Sequence, residues 1–142
     1  MPKIEKITKQ TENPYVNLYL VEGKNKVDHL FRYYVASRAK TMEALKIKTK
    51  KNTPDGVLMY SLYGEKRDKI VLVRQYRVSI DDYIYEFPAG LVESGEEFHE
   101  AAVREMHEET GLTFHPLKVD PCYEKPFFTT IGMTDEACSA VY

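Results

Sequence analysis

The stretch Gly90-Leu91-Val92-Glu93-Ser94-Gly95-Glu96-Glu97-Phe98-His99-Glu100-Ala101-Ala102-Val103-Arg104-Glu105-Met106-His107-Glu108-Glu109-Thr110-Gly111-Leu112 decides the fold. Ser94 with Glu97 three residues on reads as a capping box, and Gly111 stands where a left-handed C-terminal cap belongs. The spacing therefore predicts a helix from about Gly95 to Thr110. At about 100° per residue, Phe98, Ala101 and Ala102 mark its apolar face. Glu105 falls on that same stripe, with Glu109 about 40° to one side and Glu108 about 60° to the other. Carboxylates this close repel, and the last turn of a helix disfavours negative charge further. Solvation, or pairing with basic residues, is the ordinary answer to such repulsion. Residues 93–109 hold seven Glu and one basic residue, Arg104, so one cation cannot balance the set. A hard divalent ion with oxygen ligands, Mg²⁺ or Mn²⁺, would relieve both the repulsion and the cost of burying charge. Glu96 and Glu100 are then expected to be solvated or bonded to Arg104.

Upstream of this helix the pattern changes to strands. Val57 to Leu62, Ile70 to Gln75 and Tyr83 to Phe87 are apolar and aromatic runs separated by polar loops. Val71-Leu72-Val73 is continuous, as in a strand covered on both faces, and Pro88-Ala89-Gly90 is expected to end this sheet region. Lys50-Lys51-Asn52-Thr53-Pro54-Asp55-Gly56 is the strongest breaker cluster in the chain, and a domain boundary is placed there, between residues 1–50 and 51–142. Before it, Tyr15 to Glu22 and Leu30 to Arg38 flank a polar turn and read as a hairpin, and Glu43 to Thr49 reads as a further strand. Residues 1–14 lack an apolar period and read as an arm. After the helix, Leu117 to Tyr123 and Ala137 to Tyr142 look extended. The fold class is α+β, or a three-layer α/β/α sandwich, with a small antiparallel sheet in front.

Composition narrows the functional classes. The 142 residues are 43% hydrophobic with six Phe and 11 Tyr, enough for a packed core. No apolar run approaches the roughly 18 residues that span a bilayer, and Met1-Pro2-Lys3-Ile4-Glu5-Lys6 has no apolar signal region behind it, so a soluble cytoplasmic protein without a membrane partner is expected. Cys122 and Cys138 form no CxxC and read as ordinary thiols. The net charge of −2 divides unevenly: residues 1–77 carry 17 Lys/Arg against 8 Asp/Glu, and residues 78–142 carry 3 against 14. That asymmetry fits either solvated surface on two differently charged lobes, or a polyanionic ligand on the basic part with a metal on the acidic part. Nucleic acid is not expected, because the lysines are dispersed and no recognition motif accompanies them.

Gly90, Glu96, Arg104, Glu105, Met106, Glu108, Glu109, Gly111 and Leu112 stand at every specified position of GX5EX7REUXEEXGU, where U is apolar, so the segment resembles the Nudix box. The resemblance implies a mixed sheet flanked by helices and metal-dependent hydrolysis of a nucleoside diphosphate linked to another group. Carried over by position, it implies Glu105 and Glu109 as principal metal ligands and Glu108 as a ligand or a water-positioning acid. It also implies Arg104 as the residue that orients the carboxylates, Glu96 as an outer acid, and the carbonyl of Ala89 as a further ligand.

The flanks Arg74-Gln75-Tyr76-Arg77 and Glu86-Phe87-Pro88-Ala89-Gly90 resemble the ADP-ribose pyrophosphatase branch of that superfamily. Arg74 or Arg77 at a strand end can offer a fork of donors to a diphosphate. Glu86 can accept from ribose hydroxyls, join the outer metal shell or form a plain salt bridge. The branch implies ADP-ribose cleaved to AMP and ribose 5-phosphate. It also implies a homodimer whose N-terminal strands exchange, with Phe31, Tyr33 and Tyr34 placed either to stack on the base or to pack in their own hairpin. Another nucleotide sugar, a nucleoside triphosphate, or ligand sensing without turnover are the rival readings. Two departures stand out: Thr130-Ile131-Gly132 replaces the Ser-Pro-Gly of many relatives, and a closing helix and a water-activating glutamate are expected beyond Tyr142.

Overall fold

The computed structural model describes residues 2–142, and the chain divides into two compact units. The first comprises residues up to Asn52 together with Phe128–Glu136, and the second comprises Thr53–Phe127 together with Ala137–Tyr142.

In the first unit, β1 (Lys3–Lys9), β2 (Asn17–Lys24) and β3 (Leu30–Ser37) form an antiparallel sheet in that order. The arm expected at residues 1–14 is thus largely a strand. Its signal was hidden by a bulge between Ile4 and Lys6: Ile4 pairs with Gly23 and Ile7 with Val21, so two isoleucines three apart share one face. The hairpin of β2 and β3 follows the expected ranges, with Tyr19, Leu20 and Val21 buried. The strand expected over Glu43 to Thr49 is instead a single helical turn, α1 (Lys46–Thr49), closed by Lys50 in the left-handed region at φ 58°. Leu45 and Ile47 mimic strand alternation, but the carbonyl of Leu45 accepts from the amides of Lys48 and Thr49, so the segment satisfies its backbone locally. Residues 128–136 return to β3, where Met133 accepts from the Ala36 amide at 2.9 Å and Gly132 from the Tyr33 hydroxyl at 2.5 Å.

In the second unit, β4 (Gly56–Met59) is followed by β5 (Leu62–Tyr63), β6 (Lys69–Ile70), β7 (Val73–Arg77), β8 (Asp82–Glu86) and β9 (Ala89–Leu91). Then come α2 (Phe98–Thr110), β10 (Phe127–Phe128) and β11 (Ala137–Val141). β4 pairs in parallel with β11 and antiparallel with β9, which makes the sheet mixed. Pro88-Ala89-Gly90 therefore begins a strand where an end was expected, because β9 is short and carries no alternating pattern to announce it. β5–β6 and β7–β8 are separate hairpins. Val71-Leu72-Val73 is not one doubly covered strand: it spans the gap between β6 and β7, and Leu72 is 45% exposed. Leu117 to Tyr123 is irregular and ends in a 3₁₀ turn at Pro121–Tyr123 rather than a strand. Val57, Met59, Ala101, Ala102, Met106, Phe114 and Val141 form the core, with Val71, Val92, Phe98 and Leu112 against it.

The start of α2 differs from the capping-box reading. Gly95 takes φ 85°, which no right-handed helix admits, so Ser94 cannot cap it. Glu97 is the N-cap instead, its carboxylate accepting from the His99 amide at 2.8 Å. The end is as expected: Gly111, at φ 72°, donates to the His107 carbonyl.

Candidate active site

α2 lays its apolar stripe on the sheet, and the same stripe carries Glu105 onto β9. The approach is close enough that a methyl group on Gly90 would lie 1.9 Å from Glu105 Cδ and 2.2 Å from its Oε2. Only a residue without a side chain permits it. One turn further on, Glu109 Oε2 accepts the Ala89 amide at 3.1 Å. Burial pushes the Glu109 carboxyl above its ordinary range, and the charges of Glu105 and Glu86 add to this, against the Ala89 amide and Arg77.

Arg104 holds the other side of the cluster. Its Nε and Nη2 each stand 2.9 Å from one oxygen of Glu96, a planar fork on a carboxylate. Nη1 donates to Glu105 at 2.8 Å and to Glu108 at 3.3 Å, and Nη2 also reaches the Leu91 carbonyl at 3.0 Å. The Glu96 carboxyl is held down at about 2, by Arg104 first and then by the Glu93 amide, while Arg104 is raised above its ordinary value by Glu96 and then Glu105. Of the two placements expected for Glu96, solvated or bonded to Arg104, it takes the second. Glu108 is different: its side chain is 57% exposed and reaches only the outer edge of Arg104.

The β7–β8 hairpin sorts the two candidate arginines by strand alternation. Val73, Gln75 and Arg77 share a face with Asp82, Ile84 and Glu86, whereas Arg74 and Tyr76 share the opposite face with Tyr83 and Tyr85. Arg77 Nη2 stands 2.9 Å from both Glu86 oxygens and donates to Oε2, while Oε1 is buried and receives no hydrogen bond. Arg77 and Glu86 are both near enough to Glu109 to bias its charge. Arg74 instead covers the Tyr83 ring at 4.2 Å. The structure therefore brings Arg77, Glu86, Glu105 and Glu109 to one region, with Arg104 behind Glu105, and places Arg74 elsewhere. Glu136, an acid downstream of the helix, is ion-paired with Arg38 at 2.7 Å in the first unit.

Among the described residues no three acidic, His or Cys side chains converge tightly enough to hold a metal by themselves. The donor chemistry nevertheless suits a hard cation: two carboxylates against strand backbone, a Glu109 charge opposed by burial and by Glu105 and Glu86, and one buried Glu86 oxygen that is ion-paired with Arg77 but accepts no hydrogen bond. Glu97, which the sequence offers only as the third residue of a capping box, is itself the cap of α2.

Mixed sheet, covering helix and box carboxylates define a Nudix-type domain, and the comparisons agree. The family model described as NUDIX domain matches residues 52–141, and the chain belongs to that family. It is 35% identical over 80 residues to an ADP-ribose pyrophosphatase of Saccharomyces cerevisiae, covering 55% of this chain and 35% of that protein. It is 36% identical over 87 residues to an ADP-sugar pyrophosphatase of Mus musculus, covering 59% of this chain and 40% of that one. A crystal structure of an ADP compounds hydrolase superposes with a TM-score of 0.74 at 19% identity, over 99% of this chain and 65% of that chain, which bears on the fold. The matched segments thus amount to about two fifths or less of these two curated relatives. Among the described residues no helix is long and apolar enough to cross a membrane.

Proposed function

We propose that this chain is the Nudix portion of a pyrophosphohydrolase dependent on Mg²⁺ or Mn²⁺, cleaving a nucleoside diphosphate linked to another group. ADP-ribose, giving AMP and ribose 5-phosphate, is the leading substrate. The observation that carries the reading is the pressing of Glu105 and Glu109 onto Ala89–Gly90, with the Glu109 charge opposed by burial and by Glu105 and Glu86. The names of the yeast and mouse relatives support the substrate class. Glu105, Glu109 and the Ala89 carbonyl would hold the cation, with Glu108 free to move in as a further ligand or to position water. Such an ion, when bound, neutralises phosphoryl oxygens and acidifies water.

The remaining work falls to the chain's own side chains. Arg104 fixes the Glu105 rotamer from behind. Arg77 offers guanidinium donors toward a diphosphate while Glu86 keeps it in place, and Glu86 Oε1, ion-paired with Arg77 but without a hydrogen bond, is an acceptor for a ribose hydroxyl or an ordered water. Glu108, exposed and only weakly bonded, is the first internal candidate for general base. In the cell we place the protein in the cytoplasm as a homodimer acting on a small molecule.

The test is a panel of ADP-ribose, other ADP-sugars and nucleoside triphosphates with Mg²⁺, with products separated by chromatography. AMP release from ADP-ribose, abolished by chelation, is the expected result. Preferential turnover of triphosphates, or ADP-ribose binding without any AMP, would overturn it in favour of the rival substrate or a ligand sensor.

A further inference from the structure

His99, in the first turn of α2, is held between two carboxylates on different segments. Its Nε2 lies 2.8 Å from Glu124 Oε1, and its Nδ1 lies 3.1 Å from both oxygens of Glu97, the helix N-cap. A neutral imidazole carries one N–H and can donate on one side only, whereas the imidazolium donates on both. Two acceptor carboxylates facing the two ring nitrogens therefore select the charged ring. Glu124 is largely withdrawn from solvent, its side chain 16% exposed. Glu100 and Arg104, both on α2, line a shallow hollow with His99, Val103 and Pro116, and Lys125 stands near the 3₁₀ turn. Arg104 is already occupied by Glu96 and Glu105, which leaves His99 to meet Glu124.

Glu124 closes the 3₁₀ turn that follows the irregular run after α2. Its amide donates to Pro121, Tyr123 donates to Asp120, and Cys122 donates to the Asp120 carboxylate, all bonds within the turn itself. Besides the Leu117 amide, which donates to the Tyr142 carbonyl at 2.6 Å, and the Tyr123 ring edge-on to Tyr142, two hydrogen bonds among the described residues join Glu124 to the rest of the second unit: the Glu124 carbonyl accepts from buried Ser139 of β11 at 2.9 Å, and the Glu124 carboxylate meets His99. The first does not depend on pH near neutrality. The second does.

We propose that His99 is a proton-operated latch, which pins the turn 121–124 to the first turn of α2 through a charged hydrogen bond when protonated and loosens it when neutral, since the neutral ring can serve only one of its two carboxylates. The turn lies between the helix that carries the box carboxylates and β11, so loosening it slackens the connection on one side of α2. Burial alone would lower the affinity of His99 for its proton, but Glu124 and Glu97 together outweigh it and leave it raised. The sign follows: the folded protein holds the proton more tightly than the unfolded chain. The latch is therefore fully closed below the ordinary histidine value and opens as pH rises through the raised one.

Amide hydrogen exchange of the intact chain tests this, measured from about pH 6 to about pH 8.5 with each rate divided by its intrinsic base-catalysed rate. Protection at Cys122, Tyr123 and Glu124 should fall roughly three- to five-fold across that range, the scale of a partly exposed charged pair, while β4 and the C-terminal half of α2 stay constant. His99→Gln and Glu124→Gln should each show the low protection at every pH. Constant protection in the wild-type chain overturns the latch, and so does a fall of equal size in either variant. Neither result bears on the hydrolase reading, which is judged by product release.

Discussion

A methyl carbon placed on Gly90 would lie 1.9 Å from Glu105 Cδ, well inside any non-bonded carbon contact, and the obstacle is a carboxylate that Arg104 already holds at 2.8 Å. Gly90→Ala must therefore turn Glu105 out of place or push α2 off β9. We expect it to cost at least ten-fold in Mn²⁺ affinity, read by calorimetric titration, with a stability loss of about 1–3 kcal/mol. Unchanged metal affinity would remove Glu105 from the ligand set. Glu109→Gln separates charge from shape, since the amide oxygen can still accept from Ala89. Turnover should drop by about 100-fold or more while the fold persists. Without metal the melting temperature should rise by about 1–3 °C, because a carboxylate opposed by burial, by Glu105 and by Glu86 becomes neutral. A lower melting temperature in chelator would contradict the charge argument.

At the scale of elements, what was legible depended on whether the signal was local. The body and end of α2 were readable because an apolar stripe and a C-terminal glycine are properties of the segment itself. Its start was not: Ser94 and Glu97 satisfy the capping-box pattern, but Gly95 turns the chain to φ 85° and Glu96 is claimed by Arg104, eight residues on. β1 and β9 were missed for related reasons, one masked by a bulge and the other defined only by its partner β4. In the site, the box carboxylates were legible by spacing, whereas the separation of Arg77 from Arg74 required the register of β7 against β8. The capping assignment gives a direct comparison. Glu97→Ala should destabilise the chain by about 1 kcal/mol in urea unfolding, through the lost cap and the lost partner of His99, and Ser94→Ala should fall within about 0.5 kcal/mol of wild type. The reverse order would restore the Ser94 cap.

At the scale of the whole molecule, the first unit bears on association. Its three-stranded sheet leaves Leu30 at 76% and Tyr34 at 53% exposure on β3, with Val27 in the adjoining turn at 67% and Tyr15 before β2 at 76%. β3 pairs with β2 along its length and on its other side makes one isolated bridge, from Ala36 to Thr134. A small sheet with large side chains on its surface and a nearly open edge gains by being covered, at roughly 25 cal/mol per Å² of apolar area. A second copy of residues 15–49 is the cover we expect. The unit is also basic, with 12 Lys/Arg against 7 Asp/Glu, so two copies repel. Salt that screens this repulsion over about 10 Å at 0.1 M should therefore strengthen the dimer, the opposite of an interface held by ion pairs. Sedimentation at micromolar concentration should give a dimer whose dissociation constant falls several-fold from about 0.05 M to about 0.3 M salt. Leu30→Glu should shift the dissociation constant upward by about ten-fold or more, since it carries a charge into an apolar patch that association would bury. A monomer at every salt concentration would exclude exchange of these strands, and a dimer indifferent to Leu30→Glu would move the interface off this sheet.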